Sequence, residues 1–327
     1  MVNSSGPRLI GWKHAWAWAR LLALTTLLTA TYSTSAWQRM KPTAVADRIA
    51  RDRQFIDASE TQKLTPAQVG RLWSEIASDE QDLGDFGQAE EAYNHALRLL
   101  EREPKLQKDY AITLNNLGTL LAASGRGEAS LNCRRRALDI QQKLGDPLEI
   151  ARAQAHLADA YLMMGQNKQA RHQAEIANRA LEALPQATQK DRASALLGYS
   201  FASCMTHHCA EGLSAALRAM GLASRAEPAD SFALGQIGVG LGLAQWQTGD
   251  RTGAEASLKE AIRILRIHLS PGNPYLLQAL EIYRQCLDDD HKQMEALQIA
   301  EEERGMQTSS TNGCSSCTIS VYGLRNH

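Results

Sequence analysis

Apolar and polar positions alternate at helical spacing through most of the chain. In HLADAYLMMGQNKQARHQAEIANRALEAL, residues 156–184, alanines and leucines recur at short intervals on both sides of one glycine. Residues three and four apart share one face of an α-helix, so this pattern predicts two amphipathic helices joined at Gly165. Ala and Leu also dominate the apolar residues elsewhere, which favours helices over strands.

The same arrangement occurs four times at a nearly constant spacing. Its glycines are Gly84, Gly125, Gly165 and Gly249. The first two intervals are 41 and 40 residues, and the third is 84, which is twice 42. The spacing therefore predicts a further unit between the third and fourth glycines, without a turn glycine of its own. Each unit is predicted to be a helix, a glycine turn and a second helix.

Small residues recur seven apart in the second helix of each unit. The pairs are Ala89 and Ala96, Ser130 and Ala137, Ala170 and Ala177, and Ala254 and Ala261. Seven residues span about two helical turns, so each pair lies on one face, where a neighbouring helix can approach closely. The first helices carry their own small residues, Ala77, Gly118, Ala158 and Gly242. Because one helix pair cannot bury both of its faces, the units are expected to stack into a solenoid.

These units resemble tetratricopeptide repeats over about residues 68–304. The first unit has Trp73, Ile76, Ala77, Gly84, Ala89, Tyr93 and Ala96 in the family's order of large, small and turn residues. The period near 42 and the stretch LNNLG, residues 114–118, resemble the kinesin-light-chain type of this repeat. The resemblance implies an all-α, right-handed superhelical solenoid of antiparallel helix pairs, with about five to six repeats.

Two units depart from the pattern. The fourth unit, about 191–226, has CMTHHC where the others have a turn glycine, and its two halves are two residues farther apart. The sixth unit lacks the small residues but keeps the rhythm of two helices, and it becomes polar late, as a capping repeat does.

Four segments are predicted along the chain. Residues 1–36 have the order of a signal peptide: basic residues, the apolar run LLALTTLLTATY and the small residues TSA. An uncleaved membrane anchor is an alternative, although the run is short of the roughly 20 residues of a membrane span, and a disordered arm is another. Residues 37–66 are a lead-in helix or linker, with Thr65 as N-cap before Pro66. Residues 67–304 are the solenoid, and residues 305–327 are a flexible tail containing a short strand in TISVYGL.

Composition excludes several classes of function. The net charge is −1 and 22% of residues are charged, which argues against disorder and against a nucleic-acid binder. The sequence contains no phosphate-binding glycine loop, no metal-binding helix motif and no nucleophile elbow. We therefore expect no enzymatic activity, no cofactor and no small-molecule substrate.

Two cysteine clusters support an alternative function in metal binding or redox chemistry. Cys204, His207, His208 and Cys209 lie within six residues, although their spacing fits no standard pair of zinc ligands. Cys314 and Cys317 form a CSSC motif in the predicted tail, where a structural or exposed disulfide is expected rather than an activated thiol.

The resemblance also implies where a partner binds, since in this family the first helices line a concave groove that holds peptides. The predicted peptide-binding residues are Arg71, Asn115, Asn116, Thr119, Arg152, His156, Asp159 and Trp246, with Ser74, Gln236 and Val239 on the same face. Asparagine amides can pair with a peptide backbone, and Arg152 can hold a carboxylate. Hydrogen bonding between repeats is the alternative role for the two asparagines. The sequence thus predicts a non-enzymatic scaffold for a protein or peptide partner in a periplasmic or secreted location.

Overall fold

A computed structural model describes residues 42–59, 63–225, 231–269 and 273–309, and these ranges form thirteen α-helices and no strand. The helices are α1 (Pro42–Asp57), α2 (Pro66–Leu83), α3 (Phe86–Leu100), α4 (Gln107–Ala123), α5 (Gly127–Leu144), α6 (Pro147–Met163), α7 (Asn167–Ala183), α8 (Gln189–Cys204), α9 (Cys209–Ala223), α10 (Ser231–Gln247), α11 (Arg251–His268), α12 (Pro274–Asp289) and α13 (Gln293–Ser309). From α2 onward they form six antiparallel pairs, which confirms the predicted all-α solenoid and its number of repeats.

Contacts divide the chain into two units, residues 1–46 and 47–327. Of the first unit, the structure describes only the start of α1. The second unit contains the rest of α1 and all six helix pairs. The predicted signal peptide or anchor, the CSSC motif and the predicted strand lie outside the described residues.

Helix starts follow the local sequence. Thr65 caps α2 with its side chain and forms a capping box with Gln68, and Pro66 takes the first helical position, as predicted. Asp146 caps α6 with its side chain, which accepts from the backbone N–H groups of Leu148 and Glu149, and Thr188 and Asp191 form a second capping box at α8. Each cap satisfies backbone N–H groups that the first helical turn leaves unpaired.

The turns within pairs need a left-handed residue. Glycine supplies it at Gly84, Gly125, Gly165 and Gly249, where φ lies between 67° and 91°. The fourth pair has His207 there instead, with φ of 63°, and the sixth has His291, with φ of 58°. The chain therefore keeps the turn geometry in the two units that lack the glycine, against the steric preference of L-residues.

The small residues lie where the helices of a pair cross. Ala89, Ala96, Ala137, Ala170 and Ala177 are all fully buried. The first helix of each pair also contacts the first helix of the next pair, so α2, α4, α6, α8, α10 and α12 form a continuous inner wall.

Ion pairs one repeat apart link neighbouring pairs. Arg71 on α2 bonds Asp109 on α4 at 2.8 Å, and Arg171 on α7 bonds Glu211 on α9 at 2.7 Å. Exposed ion pairs contribute little energy each, and they add to the apolar interface between adjacent repeats on which a solenoid depends.

The end of the solenoid differs from the prediction in one respect. α13 continues to Ser309, so the predicted start of the tail at residue 305 is too early. Met294 and Leu297 on this last helix are 72% and 55% exposed, so its outer face is less polar than the sequence suggested.

Candidate functional site

The inner wall of the solenoid encloses a cavity of about 440 Å³. All six helix pairs contribute to its lining, mainly through their first helices. Its polar lining residues are Gln81, Asp82, Thr119, Arg134, His156, Asp159, Asn167, Ser194, Gln236, Asn273, Tyr275 and Gln278. We call this cavity the central channel. Its volume lies within the range of about 300–1,000 Å³ that is usual for ligand sites.

The two ends of the solenoid meet at this channel. Asp82 lies at the end of α2 in the first pair, and Tyr275 lies at the start of α12 in the sixth. Burial raises the pKa of Tyr275; Arg134 opposes the shift, whereas Asp159 and Asp82 add to it. Side chains from three other pairs therefore act on one phenol.

Arg134 reaches the channel from a second helix, α5. Its side chain is 4% exposed, and its guanidinium donates to the backbone oxygen of His156 and, at 3.1 Å, to Thr119 Oγ1. Gly118 on α4 leaves room for it, because a Cβ there would lie 2.9 Å from Arg134 Cγ. The glycine of LNNLG thus admits a buried cation.

Asp159 faces the channel without a close cation. The shortest distance to a guanidinium, from its Oδ2 to Arg134 Nη1, is 3.9 Å, and its side chain is 48% exposed. Desolvation by the enclosing walls raises its pKa to about 6, although Arg134 acts in the opposite direction. Desolvation, with Arg134 and Arg152, lowers the pKa of His156 to about 4, so this imidazole is neutral at pH 7.

Asp82 stands in an acidic part of the channel. Desolvation and the neighbouring Asp79 raise its pKa to about 6, with Arg48 acting in the opposite direction. Arg48 is itself bonded to both oxygens of Asp79. No ion pair between described residues includes Asp82, so its charge has only distant compensation.

Aromatic and aliphatic side chains form the remaining wall. Phe86, Phe201 and Phe232 are half-buried and line the cavity, and Phe232 packs edge to face with Tyr275 at 6.2 Å between ring centroids. Half-buried aromatic groups of this kind offer large apolar contact areas to a ligand.

Three lining residues carry a buried polar atom without a partner among the described residues. These atoms are Gln81 Oε1, Asn167 Oδ1 and Arg134 Nε. A buried polar group without a hydrogen bond costs stability, so a ligand that supplies the complementary group gains affinity. Two acceptors and one donor match the N–H and C=O groups of a peptide.

The predicted peptide-binding residues fall into two groups. Thr119, His156 and Asp159 line the channel, as do Gln236 and Val239. The other five do not line it, and a role for any of the eight in binding stays a prediction.

The residues outside the channel have structural contacts of their own. Arg152 bonds both oxygens of Asp191, at 2.8 and 2.9 Å, and Glu149 at 3.0 Å, which leaves it little capacity for a ligand carboxylate. Arg71 is engaged by Asp109 on the next repeat. Trp246 lies under the guanidinium of Arg251 at 4.7 Å. Asn115 is buried with Oδ1 unpaired, and Asn116 is half-buried.

Sequence reasoning missed the central residue of the site, Arg134. It lies midway between Ser130 and Ala137, at a place where the next pair has Ala174. The available signal was a charged residue at a position where the other units have small or uncharged residues. Asp82 and Tyr275 were missed because the meeting of distant repeats is not visible in a local pattern.

The CMTHHC turn joins α8 to α9. Cys204 is buried, and burial together with the nearby Cys209 raises the pKa of its thiol. The thiol of Cys209 donates to Gln247 Oε1 at 2.9 Å, and both cysteines are free. Within the described ranges no three His, Cys, Asp or Glu side chains are placed to hold a metal ion, so the predicted alternative of a metal site at this turn finds no support.

Every helix in the described part of the chain is too short or too polar to span a lipid bilayer. The predicted N-terminal anchor lies outside this part.

Comparison with solved structures identifies the fold. The chain is similar to the apo form of RapI, at 13% identity with a TM-score of 0.59, over 86% of this chain and 95% of that one. It is similar to a Rap protein complexed with Competence and Sporulation Factor, at 15% identity with a TM-score of 0.57, over 83% and 78%. It is also similar to BtubC (BKLC) from P. vanneervenii, at 20% identity with a TM-score of 0.51, over 70% and 91%.

Comparison of the sequence with known families also points to tetratricopeptide repeats. No curated protein matches the chain. The tetratricopeptide repeat model matches residues 68–126 and 109–186, which cover the first three helix pairs. The later pairs continue the same architecture. Residues 68–186 therefore match the tetratricopeptide repeat family, and the helix pairs that follow have the same fold and line the same central channel.

Proposed function

We propose that this protein is a non-enzymatic scaffold that binds an extended peptide, or an extended segment of a protein partner, in the central channel. The observation that carries the proposal is the enclosed cavity with half-buried aromatic groups and unpaired polar atoms. A volume of about 440 Å³ accommodates a few side chains and excludes a folded domain, so a protein partner enters as an extended segment. A structural neighbour, the Rap protein, is described as a complex with Competence and Sporulation Factor.

Site-specific photocrosslinking in the native host tests this function. A photoreactive amino acid at Gln278, which lines the channel, is compared with the same amino acid at Asn132, which is exposed on α5. We expect crosslinks to a partner at Gln278 and none at Asn132. Crosslinks only at Asn132 would move the interaction to the outer surface and refute a channel site.

We further propose that the scaffold acts outside the cytoplasm after cleavage of residues 1–36. The order of basic, apolar and small residues in this segment supports the proposal. Intact-mass measurement of the protein from its host is expected to show a chain beginning at Trp37. A full-length chain in the membrane fraction would instead support the anchored alternative.

A further inference from the structure

The charged groups of the channel are unbalanced. Its lining contains two carboxylates, Asp82 and Asp159, against one guanidinium, Arg134. The only histidine in the lining, His156, is neutral at pH 7. Two N–H groups of Arg134 are already committed to His156 and Thr119, so its capacity to bind an anion is small.

The two carboxylates lack the close partners that carboxylates have elsewhere in the protein. Asp109 and Asp191 each receive a guanidinium at 2.8 Å. By contrast, Asp159 has its nearest guanidinium at 3.9 Å, and Asp82 has no ion pair with a described residue. Carboxylates on a cavity wall without close cations favour a ligand that brings a positive charge.

The neighbourhood of Asp82 strengthens this preference. Asp79, on α2, raises the pKa of Asp82, and it also raises the pKa values of Asp52 on α1 and Glu75 on α2. Among the described residues, Arg48 is the cation that acts on Asp82, and Asp79 already binds it. This end of the channel therefore has a negative potential, which a low-dielectric wall concentrates.

We propose that the channel selects peptides with a lysine or arginine side chain, which Asp82 or Asp159 binds while the aromatic wall holds neighbouring apolar residues. Arg134 Nε, Gln81 Oε1 and Asn167 Oδ1 then pair with the peptide backbone beside this side chain. The inference rests on the proposed function, since it names the class of peptide that the same channel takes.

Selection from a library of random dodecapeptides displayed on phage tests the inference with the whole chain as bait. We expect the selected peptides to combine Lys or Arg with aromatic or aliphatic residues. Synthetic copies are expected to bind the Asp82→Asn/Asp159→Asn variant at least about tenfold more weakly than the wild type. Replacing the peptide arginine by citrulline, which is neutral and of similar shape, is expected to weaken binding to the wild type alone. Glu128→Gln, at an exposed position on α5, is the matched control and is expected to change nothing.

The outcomes separate the two levels of the proposal. Phe201→Ala, in the apolar wall, is expected to weaken every selected peptide whatever its charge. If selected peptides depend on Phe201 but show no preference for Lys or Arg, the channel binds peptides and the charge preference is wrong. If no peptide is selected, or if none depends on Phe201, the proposed function itself fails and the charge preference fails with it.

Discussion

The second and third helix pairs share one framework and differ at a single buried position. Arg134 on α5 and Ala174 on α7 occupy equivalent places, midway between small residues seven apart, and both are buried. Opposite Arg134 the first helix has Gly118, and at the corresponding place in the third pair it has Ala158. The methyl group of Ala174 completes the packing of its pair, whereas the guanidinium of Arg134 passes the glycine and reaches the channel. The regular spacing of small residues thus determines the fold. One departure from this spacing, Arg134, places a charged side chain in the channel.

The largest expected effect comes from placing an arginine at the equivalent position of the third pair. Ala174→Arg inserts a long charged side chain where no glycine makes room, so it should lower the free energy of unfolding by about 3 kcal/mol or more. Urea denaturation measures the loss. Adding Ala158→Gly should recover part of it, and Ala129→Arg, at an exposed position on α5, should cost little. An unchanged midpoint for Ala174→Arg would show that the two positions are not equivalent.

Removing the arginine from the second pair tests the same position from the other side. Arg134→Met leaves the carbonyl of His156 and the hydroxyl of Thr119 without their donor, which should cost about 1–3 kcal/mol. Because the positive charge also disappears, the pKa values of His156 and Asp159 should rise. Urea denaturation and NMR titration of the His156 ring would record both effects, and a His156 pKa that does not move would contradict the placement of Arg134.

The pH dependence of stability sharpens the contrast between channel carboxylates and paired ones. The pKa of Asp159 in the folded state, about 6, lies above its unfolded value, so the folded state binds more protons between about pH 4 and 6. Stability therefore falls as pH rises through this window. Asp159→Asn removes the effect, so its melting temperature relative to wild type should increase from pH 4 to pH 7. Arg134, His156 and Tyr275 also face this part of the channel. Because the wild type and the Asp159→Asn variant share them, they do not contribute to the difference in melting temperature.

Asp191 provides the opposite case as a control. Burial acts to raise its pKa, but hydrogen bonds from Arg152 and Thr188 outweigh it and lower the pKa. Asp191→Asn should therefore lose stability relative to wild type at neutral pH, and the difference should shrink as pH falls below the unfolded pKa and through the lower pKa of the folded residue. The same sign for both variants would mean that the channel does not desolvate Asp159.

The smallest expected effect concerns the turns. His291 is exposed and has a left-handed φ of 58°, where the regular units have glycine. His291→Gly relieves about 1 kcal/mol of backbone strain, while the added freedom of the unfolded chain removes part of the gain, so a net stabilisation of about 0.5 kcal/mol is expected. Gly165→Ala should destabilise the third pair, since alanine is strained at its φ of 67°. A stabilising effect of this alanine, measured by thermal denaturation, would mean that the left-handed turn imposes no strain.

The sequence predicted what depends on neighbours along the chain. The period of the glycines gave five of the six helix pairs, and Thr65 and Pro66 gave the start of α2, because caps and turns are local. The first helices were placed on the inner side by resemblance, and this brought Thr119, His156 and Asp159 to the channel. The partners of Arg71 and Arg152 were missed because they lie one repeat away, on the helix that stacks next.

The meeting of the first and sixth pairs has a consequence for how this protein can evolve. Repeat proteins gain and lose units readily, because every interface joins similar neighbours and survives the removal of one member. Here Asp82 and Tyr275, nearly two hundred positions apart, line one cavity only because the intervening repeats carry the chain around it. A deletion of one internal repeat would leave a folded solenoid with its ends out of phase. The geometry of the channel therefore depends on the number of repeats even where the fold itself does not.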